Sequence, residues 1–476
     1  MQRVCGIETE YGFLVRDSAL GEHPELIIAR VKNALFFDLA AGTIDLHHRD
    51  YEEPPGNGGF LDNGGRVYMD MGHLEYSSPE CRGLWDMVAC DRAGDLLVRW
   101  AVEAIGLERR VAFIKNNIDH YTGATFGSHE NYSMSRATDL GGPAIDALLA
   151  FLATRLLFAG AGRVGAYRGE YLFGEREPAR GREPIRFQLS QRADHIVNDI
   201  YQWVQFNRAL LNSRDEPLAD PRHYRRLHLL LGDANILQYA LALRIGATAL
   251  ALDLVEAGAT PPIALQDPVL AMRALSRDAS RGWEVVTQSG KRVRALDVQR
   301  AFLERARAAF AGRDEETDWI LREWASTLDA LGRDPRALVG KIDWVTKEWL
   351  LSTFAEAEGI DWSGPVMRSL DLAYHDIAPA SGLALGLEQE GVADRLVTEA
   401  QVERAATTPP ADTRAHARGT LARLLRGSPY SYLINWDTVS ADETRHLYLG
   451  DPLRTYGREA KDFAQSLFLG VSSEAV

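Results

Sequence analysis

The sequence predicts an α+β protein whose strands form an antiparallel sheet. Residues 3–15 have the alternating character of a strand, and further strands are predicted at residues 66–76, 110–119 and 126–134. These strands lie in the first half of the chain and do not alternate regularly with helices, as strands of a doubly wound parallel sheet do. From residue 300 to 357 the pattern is helical and polar.

Further helices are predicted from apolar periodicity in the first half of the chain. They cover residues 25–39, 84–104, 142–159 and 233–257. The last of these is the most apolar, and we interpret it as a core helix. Two stretches rich in Pro, Gly and charge, residues 47–65 and 168–184, are predicted to be loops.

The length of 476 residues fits one large domain and a smaller one. A Thr/Pro/Ala-rich patch at 406–413 interrupts the helical pattern. We therefore predict a catalytic domain at 1–408 and a small domain at 409–476, the latter built from a helix, a strand pair and a second helix.

Composition limits the classes of function. The net charge of -14 argues against a dedicated nucleic-acid binder, because such proteins usually carry a basic excess. Three cysteines without CxxC spacing argue against a zinc site and favour reduced thiols in the cytoplasm. The N-terminus lacks a hydrophobic signal core, and no stretch reads as an uninterrupted apolar span of ~18 residues, so we expect no membrane association.

No common nucleotide-binding motif is present. The sequence contains no GxxxxGK[ST], and GAGRVG at 160–165 follows a predicted helix rather than a strand. Neither a P-loop nor a Rossmann site is therefore indicated.

Two carboxylates near the N-terminus suggest a cation site. Glu8 and Glu10 are two apart in a predicted strand, so their side chains share one face. Two adjacent carboxylates repel unless a cation lies between them. Taken alone, such a pair is more often one solvated face of a strand.

The predicted strand 66–76 adds further oxygen atoms. Tyr68 and Asp70 share one face of it, and Glu75 and Glu80 follow. Magnesium binds several oxygen ligands, which these residues and Glu8 and Glu10 could together provide.

In GSHENY, residues 127–132, His129 and Asn131 share a strand face while Glu130 points away. A lone histidine is more often structural, but one beside several carboxylates is a candidate metal ligand.

An arginine cluster suggests phosphate binding. The set comprises Arg192, Arg214, Arg225 and Arg226. Arginine forms paired, charge-assisted hydrogen bonds with phosphate. Surface ion pairing is an equal alternative, because several Asp and Glu residues lie nearby in the sequence. A metal, one histidine and arginines are what nucleotide-dependent phosphoryl transfer requires.

An ordered series of motifs resembles the Pup ligase/depupylase family over nearly the whole chain. The motifs are GIETEYG, VYMDMGHLEYSSPEC, FIKNNID, GSHENY, FQLSQRADHI, NSRDEPLADPRHYRRLHLLLGDAN, IDWVTK, LDLAYHDI and GDPLRT. The resemblance implies a glutamine-synthetase-like curved antiparallel cradle backed by helices, with a small C-terminal α+β domain. It also implies ATP (or ADP plus phosphate), Mg²⁺ and a small protein tag, Pup, with its tagged proteins as partners.

The resemblance also implies residue roles. Glu8, Glu10, Glu75 and His129 match metal ligands, and Asp70 matches the catalytic aspartate. Tyr68 matches a nucleotide-site tyrosine, and Arg214, Arg225 and Arg226 match phosphate-side arginines. With these we group Asn131, which shares a face with His129, and Arg192 as further nucleotide-binding candidates. The chain departs from the family at Leu74, usually proline, and Leu218, usually histidine.

Members of such a family either ligate the tag or hydrolyse its amide. The tyrosine of GIETEYG, the proline of YSSPE and GAGRVG are more similar to depupylases, whereas the length of 40–65 is intermediate. Our working hypothesis is amide or isopeptide hydrolysis through Asp70. The alternatives are Pup–protein ligation through an acyl phosphate, small-molecule carboxylate–amine ligation, and a binding module that has lost catalysis. The sequence leaves the oligomeric state open.

Overall fold

The computed structural model describes residues 3–49, 53–165, 185–202, 208–428, 431–442 and 444–469. Its helices are α1 (Pro24–Phe37), α2 (Leu84–Ala104), α3 (Gly142–Thr154), α4 (Leu156–Ala159), α5 (Gln238–Glu256), α6 (Pro268–Arg277), α7 (Ala295–Phe310), α8 (Glu315–Arg333), α9 (Asp343–Glu358), α10 (Pro365–Tyr374), α11 (Leu383–Gln389), α12 (Glu399–Thr407), α13 (Ala415–Leu425) and α14 (Gly457–Leu469).

Its strands are β1 (Cys5–Val15), β2 (Gly42–Ile44), β3 (Gly58–Leu61), β4 (Arg66–Asp70), β5 (His73–Ser77), β6 (Val111–Ile114), β7 (Ser128–Ser135), β8 (Arg163–Val164), β9 (Phe187–Gln188), β10 (Asn198–Tyr201), β11 (Ala209–Asn212), β12 (Tyr224–Leu229), β13 (Glu284–Val286), β14 (Arg292–Arg294), β15 (Tyr432–Ile434), β16 (Thr438–Ala441) and β17 (Arg445–Tyr448).

Ten strands form one sheet in the order β10-β11-β12-β7-β1-β5-β4-β3-β2, with β6 also pairing with β1. Every pair is antiparallel except β10–β11. The long first strand is central, since it pairs with β5, β6 and β7. The predicted α+β class with an antiparallel sheet and a largely helical second half is confirmed.

The two faces of the sheet differ in chemistry because side chains alternate along each strand. One face is apolar and belongs to the main hydrophobic core with the helices; Ile7, Leu74, Tyr132 and Leu229 lie on it. The opposite side of the same strands carries the acidic, histidine and arginine side chains. We call this the polar face, and the candidate site lies on it.

The prediction of one strand over 66–76 is wrong, because the segment is a two-stranded hairpin. Asp70 pairs with His73 across a two-residue turn made by Met71 and Gly72. Both turn residues have positive φ, 43° and 89°, as a type I′ turn requires. The hairpin lays Glu75 directly opposite Tyr68 instead of placing it further along the same strand.

Other boundaries also differ from the predictions. The stretch 47–65 contains β3, and the strand predicted at 110–119 is confined to β6. The helix predicted at 142–159 is divided at Arg155, whose guanidinium pairs with the buried carboxylate of Glu130. The loop predicted at 168–184 lies outside the described residues.

Among the described residues, two helical stretches have the length and hydropathy of a membrane span, contrary to the expectation that none would. They are Gly142–Ala159 and Gln238–Glu256, of which 72% and 94% are buried inside the protein. Such burial is that of core helices, and the interpretation of the second as a core helix agrees with it.

The C-terminal residues form a small unit with its own apolar cluster. Helices α13 and α14 pack together with three strands, β15–β17, rather than the predicted pair. Phe60 from β3 also belongs to this cluster. Placing the domain boundary at 408/409 stays a proposal.

Candidate active site

Strand register brings the predicted carboxylates together on the polar face. On β1, Glu10 pairs with Glu75 of β5, and Glu8 pairs with His129 of β7. Glu8 and Glu10 thus lie on the same side of one strand, as the period-two spacing predicts. Each is the centre of a separate cluster of possible metal ligands.

The first cluster is made only of carboxylates. Oxygen atoms of Glu10, Asp70 and Glu75 all lie within 4.8 Å of one another. Burial, together with the carboxylates of Glu10, Glu8 and Asp70, raises the pKa of Glu75 well above its usual value. Three acidic groups crowded in this way fit a divalent cation that prefers oxygen ligands, such as Mg²⁺.

The second cluster combines one carboxylate with two imidazoles. Glu8, His129 and His228 have ligand atoms within 4.8 Å of one another. Nδ1 of His129 lies 3.1 Å and Nε2 of His228 lies 3.4 Å from Glu8 Oε2. Burial lowers the pKa of His228 to about 4, which keeps its ring neutral and able to offer a lone pair.

The same two histidines act on Glu8. Burial raises the pKa of Glu8, but His228 and His129 outweigh burial and hold that pKa well below its usual range. The carboxylate is therefore ionised, which suits a metal ligand.

Sequence reasoning missed His228. It lies two residues after Arg226 on β12, and the register places it opposite Asn131 of β7. The signal was available, because a strand that presents Arg226 to the polar face must also present residue 228.

Tyr68 belongs to the carboxylate cluster. Its hydroxyl donates a hydrogen bond to Glu75 and lies 3.3 Å from Ser77 Oγ. The guanidinium of Arg66 stacks over its ring at 4.6 Å. The tyrosine therefore orients one candidate metal ligand.

Asn131 and Arg226 adjoin the second cluster. Asn131 Nδ2 donates to Glu8 Oε1 at 2.9 Å, and Arg226 donates to Asn131 Oδ1 at 3.3 Å. Arg226 also lies 4.0 Å from Glu8. This places a cation and an amide beside the histidine cluster.

The other two candidate arginines of the segment 212–228, Arg225 and Arg214, have side-chain partners outside the two clusters. Arg225 donates to the carbonyl of Thr138 at 3.3 Å. Arg214 is exposed and lies 3.5 Å from the equally exposed Glu216.

Two further candidates, Arg192 and Glu80, are held by partners far away in the sequence. Arg192 is 2% exposed and donates to the carbonyl oxygens of Phe126 and Leu230, and the carboxylate of Glu10 also acts on it electrostatically. Glu80 pairs with Arg414 and Arg418 of the C-terminal unit and lines the cavity described below. In both cases the local sequence does not predict the hydrogen-bond partners, because they lie far away along the chain.

A cavity runs from the second cluster to the C-terminal unit. It is lined by Glu8, Asn131, Arg225 and Arg226 from the sheet, by Leu218 from the preceding loop, and by Arg414, Trp436 and Pro452 from the C-terminal unit. Arginines beside a candidate metal site suit phosphate groups, and an aromatic wall suits a flat ring. Trp436 carried no sequence signal, because its place depends on how the C-terminal unit packs.

Comparison with known protein sequences agrees with the motif resemblance. The sequence model of the family described as Pup-ligase protein matches residues 3–440. A Pup deamidase/depupylase of Mycolicibacterium smegmatis is 37% identical, over 87% of this chain and 81% of its own length. A Pup–protein ligase of Kocuria rhizophila is 36% identical, over 98% of this chain and 99% of its own.

Solved structures show the same architecture. The complex of the prokaryotic ubiquitin-like protein Pup with its ligase PafA matches with a TM-score of 0.83 at 29% identity, covering 98% of this chain and 93% of that one. The Pup ligase PafA in complex with ADP matches with a TM-score of 0.77 at 30% identity, covering 97% and 96%. With the family match, these relatives show that the chain belongs to the Pup ligase family, which includes both Pup–protein ligases and Pup deamidases/depupylases.

Proposed function

We propose that this enzyme uses a magnesium-bound nucleotide to organise its polar face and hydrolyses the side-chain amide or isopeptide at the C-terminal Gln or Glu of a Pup-type tag. The observation that carries the proposal is the position of Asp70, whose carboxylate belongs to one cluster with Glu10 and Glu75. A reactive carboxylate beside a cation site can act while developing negative charge is stabilised nearby.

The position of Asp70 at the end of a strand supports access by the end of a substrate chain. It is the last residue of β4, and the next residue, Met71, is 69% exposed at the tip of the hairpin. The carboxylate would attack the amide carbonyl carbon, and the C–N bond would break as the departing nitrogen takes up a proton. Water would then cleave the resulting anhydride and regenerate Asp70. Direct activation of water by Asp70 gives the same products.

The candidate ligands would form two separate cation sites. Glu10 and Glu75 would hold one cation, and Glu8, His129 and His228 a second. When bound, the cations supply positive charge for the phosphates of the nucleotide. Arg225 and Arg226 would contact phosphate oxygens from the cavity that ends at Trp436.

Ligation is the second candidate, and a specific observation favours it. The chain aligns with the K. rhizophila Pup–protein ligase over 98% of its own length and 99% of the ligase, whereas its alignment with the M. smegmatis depupylase leaves about a fifth of that protein unmatched. In this direction the tag's glutamate carboxylate would accept a phosphoryl group from ATP, and a target lysine would displace the phosphate. Asp70 would then take the proton from the lysine.

The intact mass of the tag after incubation distinguishes hydrolysis from ligation. The purified chain is incubated with ATP, Mg²⁺ and a Pup-type tag ending in glutamine or in glutamate. Conversion of the glutamine form to the carboxylate form supports hydrolysis. ATP turnover with lysine conjugates from the glutamate form would favour ligation instead. No change in either tag, despite tight nucleotide binding, would contradict a Pup-type substrate.

A further inference from the structure

A second cavity lies on the helical side of the protein, away from the polar face. Its volume is about 270 Å³, and its walls come from α2, α11, α12 and the segments 377–379 and 395–397. Leu96, Ile377, Leu385 and Val402 contribute an apolar lining. The volume is near the lower end of the range for small-molecule cavities.

Most charges in this cavity neutralise one another. Glu388 accepts hydrogen bonds from Arg92 at 3.3 Å, Arg395 at 2.8 Å and Gln238 at 3.2 Å. Asp95 accepts from Lys115 at 3.2 Å. These carboxylates and arginines are therefore partners of one another and leave little net charge facing the cavity.

The remaining acidic groups lie at the rim. The side chain of Glu399 is 82% exposed and pairs with Arg395 at 3.2 Å, and Glu403 is also exposed. Solvated carboxylates in such positions repel a ligand only weakly, because water and salt screen them.

Arg99 is the exception among the charged groups of the cavity. It is half-buried, and burial lowers its pKa. Its Nε is shielded from solvent, and within the described part of the chain its guanidinium has no hydrogen bond or ion pair. The carboxylates of Asp95, Glu103 and Glu399 act on Arg99 electrostatically and oppose the effect of burial on its pKa, but in the described residues none of them forms a hydrogen bond or ion pair with it. Its planar fork is therefore open to a carboxylate.

We propose that this cavity is a binding site for a small organic carboxylate, with the carboxylate on Arg99 and an aliphatic body against Leu96, Leu385 and Val402. The site is separate from the polar face. It also adjoins that face through one contact, since Asp95 accepts a hydrogen bond from Tyr11 of β1 at 2.8 Å. A ligand on Arg99 is thus one buried hydrogen bond away from the strand that carries Glu10.

Hexanoate is a suitable probe because it combines one carboxylate with a short aliphatic chain. Binding to the full chain is followed by ligand-observed NMR, with hexylammonium as the probe of opposite charge. We expect hexanoate to bind, and Arg99→Gln to weaken binding by about tenfold or more, as the loss of a charge-assisted bond predicts. Arg99→Lys should retain part of the affinity.

Two control variants separate this site from other arginines. Arg305→Gln removes an exposed arginine of α7, and Arg226→Gln removes one from the polar face; both should bind hexanoate as the wild type does. Equal hexanoate binding by the wild type and Arg99→Gln would overturn the proposal. So would no binding to the wild type, or a loss seen only in Arg226→Gln.

Discussion

Glu10 and Glu75 lie directly opposite each other on antiparallel neighbours, and both are buried, with 9% and 3% of their surface exposed. Asp70 completes their cluster. These two buried carboxylates and the half-buried carboxylate of Asp70 repel one another unless a proton or a cation lies between them. The free energy of unfolding of the protein should therefore depend on whether a cation is bound to this cluster.

The first prediction is that magnesium stabilises the fold through this cluster. At a free concentration one hundred times the Kd, a single site raises the free energy of unfolding by about 2.7 kcal/mol. In Glu75→Gln, Mg²⁺ should give only a small part of this gain in the free energy of unfolding. The substitution removes a charged metal ligand, and it also removes the repulsion between Glu75 and the other two carboxylates. Thermal unfolding with and without Mg²⁺ measures it, and Glu108→Gln, at an exposed position, is the control. An unchanged increment in Glu75→Gln would contradict the site.

The second prediction concerns pH. Burial raises the pKa of Asp343 to about 6, whereas the ordinary value is 3.8. The folded chain keeps a proton there that the unfolded chain has released. The contribution of Asp343 to the free energy of unfolding should therefore fall as pH rises from about 4 to about 6, by up to about 3 kcal/mol, and level off above that range.

Asp343→Asn tests this contribution. An uncharged amide can still accept from the backbone N–H of Leu237 and from the hydroxyl of Tyr374. Urea unfolding across this pH range should give a flatter profile than the wild type. The exposed Asp462→Asn should follow the wild type. Parallel profiles for Asp343→Asn and the wild type would show that Asp343 does not carry the effect.

The third prediction concerns the turn beside Asp70. Met71 adopts φ 43° although it is not glycine, and its side chain is largely exposed. Asn tolerates this conformation better, so Met71→Asn should stabilise the protein by about 1 kcal/mol. Met71→Ala removes the methionine side chain but keeps a non-glycine residue at positive φ, so it should not increase the stability of the protein. Chemical denaturation compares the three proteins; a less stable Asn variant would disprove the explanation.

The fourth prediction concerns the attachment of the C-terminal unit. Glu80 bonds to Arg414 at 2.8 Å and to Arg418 at 3.1 Å, and both arginines are buried. Its two arginines hold the pKa of Glu80 at about 2, although burial acts in the opposite direction. Glu80→Gln should cost about 3–5 kcal/mol, because it leaves buried cations without their carboxylate.

Hydrogen exchange locates that loss. Protection should decrease mainly in α13 and at the β3–β4 turn, where Arg418 also donates to the carbonyl of Gly64 at 2.8 Å. Glu390→Gln, at an exposed position, should leave exchange unchanged. A loss of protection spread evenly over the chain would contradict a local anchor.

Much of the fold followed from local periodicity. The alternation in β1 predicted a shared face for Glu8 and Glu10, and that in β7 predicted the opposite directions of His129 and Glu130. Both are confirmed, because Glu130 pairs with Arg155 inside the core while His129 contacts Glu8. These features depend only on the geometry of an extended strand.

Features that depend on distant residues could not be predicted in this way. The turn at Met71 lacks the usual Asn-Gly or Asp-Gly signal, so the sequence predicts one strand where the structure has two. The type of Arg192 predicts phosphate binding, but it does not predict the hydrogen bonds that Arg192 donates to the distant carbonyl groups of Phe126 and Leu230. His228 was recoverable from strand spacing, whereas Trp436 was not, since its position depends on the docking of the C-terminal unit.

The central claim is that Asp70 is the reactive group beside the cation site. Asp70→Asn tests it most directly, with intact mass of a glutamine-ended tag as the readout and nucleotide affinity measured on the same protein. We predict that turnover falls by roughly a thousandfold or more while magnesium-dependent nucleotide binding persists. Wild-type turnover in Asp70→Asn would contradict the account.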